Sequence, residues 1–311
     1  TDFSSIFTNG IGTPTTVFGQ VFCRIVLKFL LVIRAEKMIN GPIVNHLPFF
    51  ISFSYAQKKE LRSADKLYSS GDYSSALDML DSSKDLFDSS DDKLKAQVML
   101  LYGKIHTSME TFDLAVKSFE MSNNLGTSDQ VLNPEINKLE TSIITSAIGD
   151  NENENFIEAA KKLKMVYDLN QENNQLYLYY AASSAVNAQD FDLSLEYYLK
   201  LRDIKYEGIE TKYYVTEVSS GNEIEINSET EFNLLKKSKD YSNARVEETE
   251  SKFPEIVKNI ALIYKQLGQN DKALAAIEEA RSSNPDDVGL IITAANIYFE
   301  PYFNFTFILI N

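Results

Sequence analysis

From residue 57 onward, apolar residues recur at intervals of three and four, the spacing that gathers them on one face of an α-helix. These stretches come in pairs joined by short polar turns, so the text predicts helix-turn-helix units. The clearest unit is Asn259–Asp286, NIALIYKQLGQNDKALAAIEEARSSNPD. Its first helix carries a small residue, Ala261, then a large one, Tyr264, and closes at Gly268. Its second helix opens on another small residue, Ala273, continues through Ile277 and Ala280, and stops at Pro285. Small side chains let two helices approach closely. Glycine takes the left-handed conformation that ends a helix, and proline cannot continue one.

The same frame fits elsewhere. Unit one shows Ala64, Leu67, Gly71, Tyr73, Ala76 and Leu80, and unit two Tyr102, Gly103, Phe112, Ala115 and Phe119. Unit three is degenerate in its first helix, but Phe156, Ala159, Leu163 and Val166 hold the second. Unit four has Ala181, Ala182, Ala185, Phe191, Ser194 and Tyr198, and a sixth unit begins with Ile291, Ala294, Ala295 and Tyr298. Repetition in one frame is strong evidence, because a repeat buries its face only against its neighbours. The pattern resembles the tetratricopeptide repeat, over about 57–206 and 254–299. That resemblance implies an all-α fold, a right-handed α-solenoid of helix-turn-helix repeats, which binds other polypeptides and catalyses nothing.

Three stretches break the frame. Residues 207–252 separate repeats 1–4 (57–206) from repeats 5–6 (253–300, the last incomplete). Within this insert, 212–218 and 223–227 alternate around Ser220-Gly221-Asn222, a small β-hairpin signal. Phe232–Lys237 reads as a short helix and 238–251 as a loop. Such an insert decorates one face with specificity or is a tolerated surface excursion. The tail 301–311, PYFNFTFILIN, is aromatic and β-branched where a polar turn and a capping helix are expected.

The third break is the apolar leader, 1–56. Residues 16–33 carry Arg24 and Lys28, which make a poor membrane span. A second apolar run, 46–56, ends in Ser54-Tyr55-Ala56, with small residues at the −3 and −1 positions of a signal-peptidase site. The polar QKKE follows directly. The run reads as the back end of a secretory signal, with Met38 as the start or the upstream residues foreign to the mature product. The other reading is a disordered or loosely helical tail. The whole resembles exported bacterial tetratricopeptide proteins with a Q-K-K-E-like mature start. The expected location is therefore the periplasm or cell envelope, or else the cytoplasm with an unprocessed leader. Any membrane association runs through the leader.

Composition narrows the chemistry. The 311 residues suggest about two domain-sized units. A net charge of −15 repels phosphate backbones and argues against nucleic acid. One cysteine, Cys23, builds neither a disulfide framework nor a thiolate metal site. The two histidines are His46 and His106, and His106 occupies the large-residue position of unit two, where it packs between helices. DNENEN (150–155) begins like a calcium loop but lacks its glycine, and Lys161 stands where the bidentate glutamate belongs. The acidic run 88–92 is explained by helix capping. Tyrosines 177, 179, 180, 197 and 198 suggest a stacking platform for sugars or bases, but helix packing is the simpler cause for most of them. No nucleophile, phosphate-loop, zinc or dinucleotide motif is present. The sequence therefore points to no catalytic residue, cofactor, metal or small-molecule substrate.

The resemblance places ligands on the faces of the first helices. These faces are Lys58, Leu61 and Asp65 in unit one, and Gln97, Leu100 and Lys104 in unit two. Unit four offers Leu176, Tyr179 and Ser183, and unit five Glu255, Lys258 and Leu262. The mix suits an extended peptide or a helix with apolar anchors. The two-Asn, two-Lys clamp for a terminal carboxylate is not reproduced.

Overall fold

A computed structural model describes residues 47–283, 285, 288–295 and 298. The body of the leader and the tail 301–311 lie outside these residues. The chain divides into two compact units, Thr1–Ile105 with Ser118–Thr127, and His106–Lys117 with Ser128–Asn311.

The first unit contains α1 (Leu47–Ser69), α2 (Tyr73–Ser82), α3 (Lys84–Asp88) and parts of α4 (Asp92–Ser108) and α5 (Phe112–Asn124). Helices α1 and α2 pack as a pair across a turn at Gly71, whose φ of +83° only glycine adopts freely. Asp72 caps α2 by accepting from the Ser75 N–H at 3.2 Å. The core gathers Ala64, Ala76, Leu80, Phe87, Val98, Leu101 and Ile105. At Gly103 the ring of Phe119 lies where a Cβ would be, so glycine is required by contact rather than by backbone angle. The Ser122 hydroxyl donates to the Ala96 carbonyl at 2.8 Å, satisfying a buried polar group. Asp91 accepts from the Leu94 N–H at 2.8 Å, as the capping reading of the acidic run expects.

The second unit runs through α6 (Asp129–Glu152), α7 (Phe156–Leu169), α8 (Gln175–Asn187), α9 (Phe191–Asp203), α11 (Phe253–Gln266) and α12 (Asn270–Ser283). Each packs on the next, α9 directly on α11. Residues 288–295 are again helical. Ile291 and Tyr298 of the incomplete sixth unit are exposed and Ala294 is buried.

The repeat is visible atom by atom. The first small-residue position is filled by Ala64, Gly103, Ala147, Ala182 and Ala261, and all are buried. The second is filled by Ala76, Ala115, Ala159, Ser194 and Ala273, none with exposed surface. Between them the turn residue is left-handed five times: Gly71, Glu110, Glu154, Gln189 and Gly268. The residue after each donates its N–H five back along the chain, to Leu67, His106, Asp150, Ala185 and Tyr264. This is the hydrogen bond that closes a helix at its C-terminus. Ser194 is the one polar occupant of a small position. Its hydroxyl donates to the carbonyl of Ala182, the other small position of that unit, at 2.9 Å. The first helix of unit three is thus a full member despite its atypical sequence. α6 tolerates Pro134 near its start and buries Leu132, Leu139, Ile143 and Ala147.

The insert is a three-stranded antiparallel sheet with one helix. Strands β1 (Thr211–Glu217) and β2 (Glu223–Ile226) form the expected hairpin, with Tyr213 opposite Ile226 and Thr216 opposite Glu223. Helix α10 covers Glu229–Leu235, slightly earlier than expected. The expected loop at 238–251 is in fact β3 (Tyr241–Glu248), paired with β1 in the order β2-β1-β3. Its register slips by one residue at a bulge near Asn243, whose φ is +48°. Val215, Ile226 and Phe232 form the small core between sheet and helix. The ends of the insert are tied together. The Lys252 N–H donates to the Glu207 carbonyl at 2.6 Å, and the Thr249 N–H to the Glu210 carbonyl at 2.9 Å.

Candidate partner-binding faces

In the first unit, α1 and α4 present consecutive first-helix faces. Leu61 and Leu100 are half-buried, and Lys58, Asp65 and Gln97 are exposed. Lys104 reaches back to α1. Its Nζ lies 4.7 Å from the centre of the Tyr68 ring and 3.9 Å from Asp65. That places a cation on an aromatic face and couples two residues expected to point independently at a ligand. Tyr68 did not stand out in the sequence.

In the second unit the corresponding helices are α8 and α11. Leu176, Tyr179 and Ser183 follow each other at three and four residues on α8, as do Glu255, Lys258 and Leu262 on α11. The Tyr179 hydroxyl donates to Glu255 Oε1 at 2.9 Å. Tyr198 of α9 packs edge-on to Tyr179 with ring centres 6.2 Å apart. It receives a hydrogen bond from Asn259 Nδ2 at 3.2 Å. Tyr180 lies beside Tyr179 at 5.8 Å and is 43% exposed, and Leu262 is 38% exposed. Lys258 is half-buried.

The tyrosines hold their protons tightly. Burial, then the hydrogen bond to Glu255, pushes the Tyr179 hydroxyl well above its ordinary value. Burial and the Glu210 carboxylate push Tyr206 up to about 12. At neutral pH these groups are therefore donors. Of the five tyrosines, Tyr197 and Tyr198 are buried, Tyr177 and Tyr179 pack partly buried against the core, and Tyr180 is exposed.

The other sequence candidates resolve into structure. His106 is buried, with Nδ1 2.8 Å from the Thr111 hydroxyl. Asp150 of the calcium-like stretch pairs with Lys162 at 2.6 Å, and Asn151 accepts from Ser184 at 3.0 Å. Among the described residues, no group of three His, Cys, Asp or Glu side chains could hold a metal. Among the same residues, no helix is long and apolar enough to cross a membrane.

No protein-family model matches the chain, and no curated protein does. Solved structures similar to it are tetratricopeptide repeat proteins. One is YrrB, described as having an unusual peptide-binding site, at 15% identity, 77% of this chain, 95% of that chain and a TM-score of 0.27. Another is a thermophilic protein of Thermus thermophilus, at 12% identity, 78% of this chain, 99% of that one and a TM-score of 0.29. A third is PilW, a type IV pilus biogenesis factor, at 11% identity, 76% and 97% coverage and a TM-score of 0.31.

Proposed function

We propose that this chain is a non-catalytic binding protein whose first-helix faces, above all α8 and α11, hold a segment of a partner polypeptide. The observation that carries the proposal is the exposure of Tyr180 and Leu262 beside a pre-ordered Tyr179–Glu255 pair. Apolar anchors among fixed donors and acceptors suit an extended strand or a helix, and pre-ordering lowers the entropy cost of binding. The test is photo-crosslinking from p-benzoylphenylalanine placed at Tyr180, at Leu262, and at exposed Asp192 of the second helix as control. A discrete protein adduct from the first two positions and not from the third supports the assignment. Equal or absent adducts at all three overturn it.

We also propose export to the periplasm or cell envelope, with cleavage after Ala56. A mature chain starting at Gln57 would keep that residue's structural role, since Gln57 is buried and its Nε2 donates to the Leu86 carbonyl at 2.9 Å. N-terminal sequencing of the mature protein decides. An intact leader on cytoplasmic protein would favour the adaptor reading instead.

A further inference from the structure

The α8–α11 face has an electrostatic character that the helical frame does not dictate. Tyr179 and Tyr180 come from α8 and lie side by side, and Tyr206, packed on the same core as Tyr179, lies just before the insert. Glu255 is exposed, lends Oε1 to the Tyr179 hydroxyl, and enters no ion pair among the described residues. A cation is already present. Lys252, at the returning end of the insert, sits 6.0 Å from the centre of the Tyr179 ring and 3.5 Å from Glu210. Its stem runs so close to Gly208 that a Cβ there would meet Lys252 Cδ at 2.7 Å, so the Lys252 chain is steered by its surroundings.

Tyrosine faces attract cations through their ring quadrupole, more strongly where water is partly excluded. A carboxylate beside them adds a charge-assisted hydrogen-bond acceptor. We propose that this spot accepts an arginine or lysine side chain of the bound segment, set between the Tyr179 and Tyr180 rings and the Glu255 carboxylate, in competition with the chain's own Lys252. The inference rests on the binding role proposed above and specifies the chemistry of the partner. The net charge of −15 favours the same class of partner by long-range attraction.

The two charged residues give opposite signs in a test that needs no knowledge of the natural partner. The full chain is titrated, by saturation-transfer NMR, with an N-acetylated, C-amidated Ala-Arg-Ala tripeptide and with its neutral citrulline counterpart. Arginine should bind in preference to citrulline. Glu255→Gln should weaken arginine binding about two- to fivefold, and Lys252→Gln should strengthen it by a similar factor. Circular dichroism checks that both variants keep wild-type helix content. Equal binding of the two peptides, no binding of either, or no change in Glu255→Gln overturns the cation site. The crosslinking result stands apart from these outcomes, because it reports whether a partner occupies the face at all.

Discussion

The hydroxyl of Tyr179 on α8 donates to the carboxylate of Glu255 on α11 at 2.9 Å, joining residues 76 positions apart. The bond bridges the break that the insert makes in the sequence. It ties the first helix of one repeat to the first helix of the next. Tyr179→Phe removes it and keeps the ring. The expected loss is about 0.5–1 kcal/mol, the range for one partly exposed hydrogen bond. It is read as a lower urea midpoint at unchanged slope. A loss above about 2 kcal/mol would mean that the ring had repacked.

Gly103→Ala sets two effects against each other. Alanine favours the helix by about 1 kcal/mol. The added Cβ collides with the Phe119 ring, and overpacking costs about 1–3 kcal/mol. The ring has no room to yield without repacking, so the variant should be less stable by up to about 2 kcal/mol. A second change, Phe119→Leu, should cost less in the Gly103→Ala background than in wild type. A double-mutant cycle measures that coupling.

Alkaline pH should unfold the protein through its tyrosines. Tyr197 is raised from 10.0 to about 12 by burial and by the carboxylates of Glu196, Asp168 and Asp190, and Tyr206 similarly by burial and Glu210. The unfolded chain releases these protons first. Their contribution to stability is therefore complete below about pH 10 and is lost as pH climbs through 12. Absorbance at about 295 nm, where tyrosinate absorbs, should show a late-ionising class of tyrosines in the native protein that vanishes in denaturant. Urea midpoints should fall across the same window.

Replacing 211–248 by a short Gly-Ser linker should leave the repeats folded. Helices α9 and α11 pack on each other without help from the sheet, and the insert has its own small core. Loop length costs little. A shift in Tm within about 4 °C, with helical circular dichroism retained, is expected. A larger drop would show that the sheet is part of the repeat core.

The legible and illegible parts of the fold have distinct physical causes. The small positions were readable at Ala64, Ala76, Ala261 and Ala273 because composition and spacing agree there. The left-handed turns were readable at Gly71 and Gly268 and hidden at Glu110, Glu154 and Gln189, where packing imposes on ordinary residues a conformation usually left to glycine. Strand β3 was hidden for a related reason. Only Tyr241 packs on the insert core, Val246 stays half-exposed, and the bulge at Asn243 shifts the alternation by one residue. Its place is fixed by backbone bonds to β1, which sequence does not display. At the candidate faces, Tyr179 and Ser183 followed from the frame. The Glu255 carboxylate that orients Tyr179 depends on which helices meet across the insert.

The tied stem of the insert also has a mechanical meaning. Tension between residues 207 and 252 would load the Lys252–Glu207 bond first, then Thr249–Glu210, then the β1–β3 ladder from its open end. Bonds loaded one after another yield at lower force than bonds sheared together. Once α9 and α11 part, the insert would release roughly 150 Å of chain at about 3.4 Å per residue. Stretching the protein between its ends in an optical trap should show this as an early, low-force extension that the linker variant lacks.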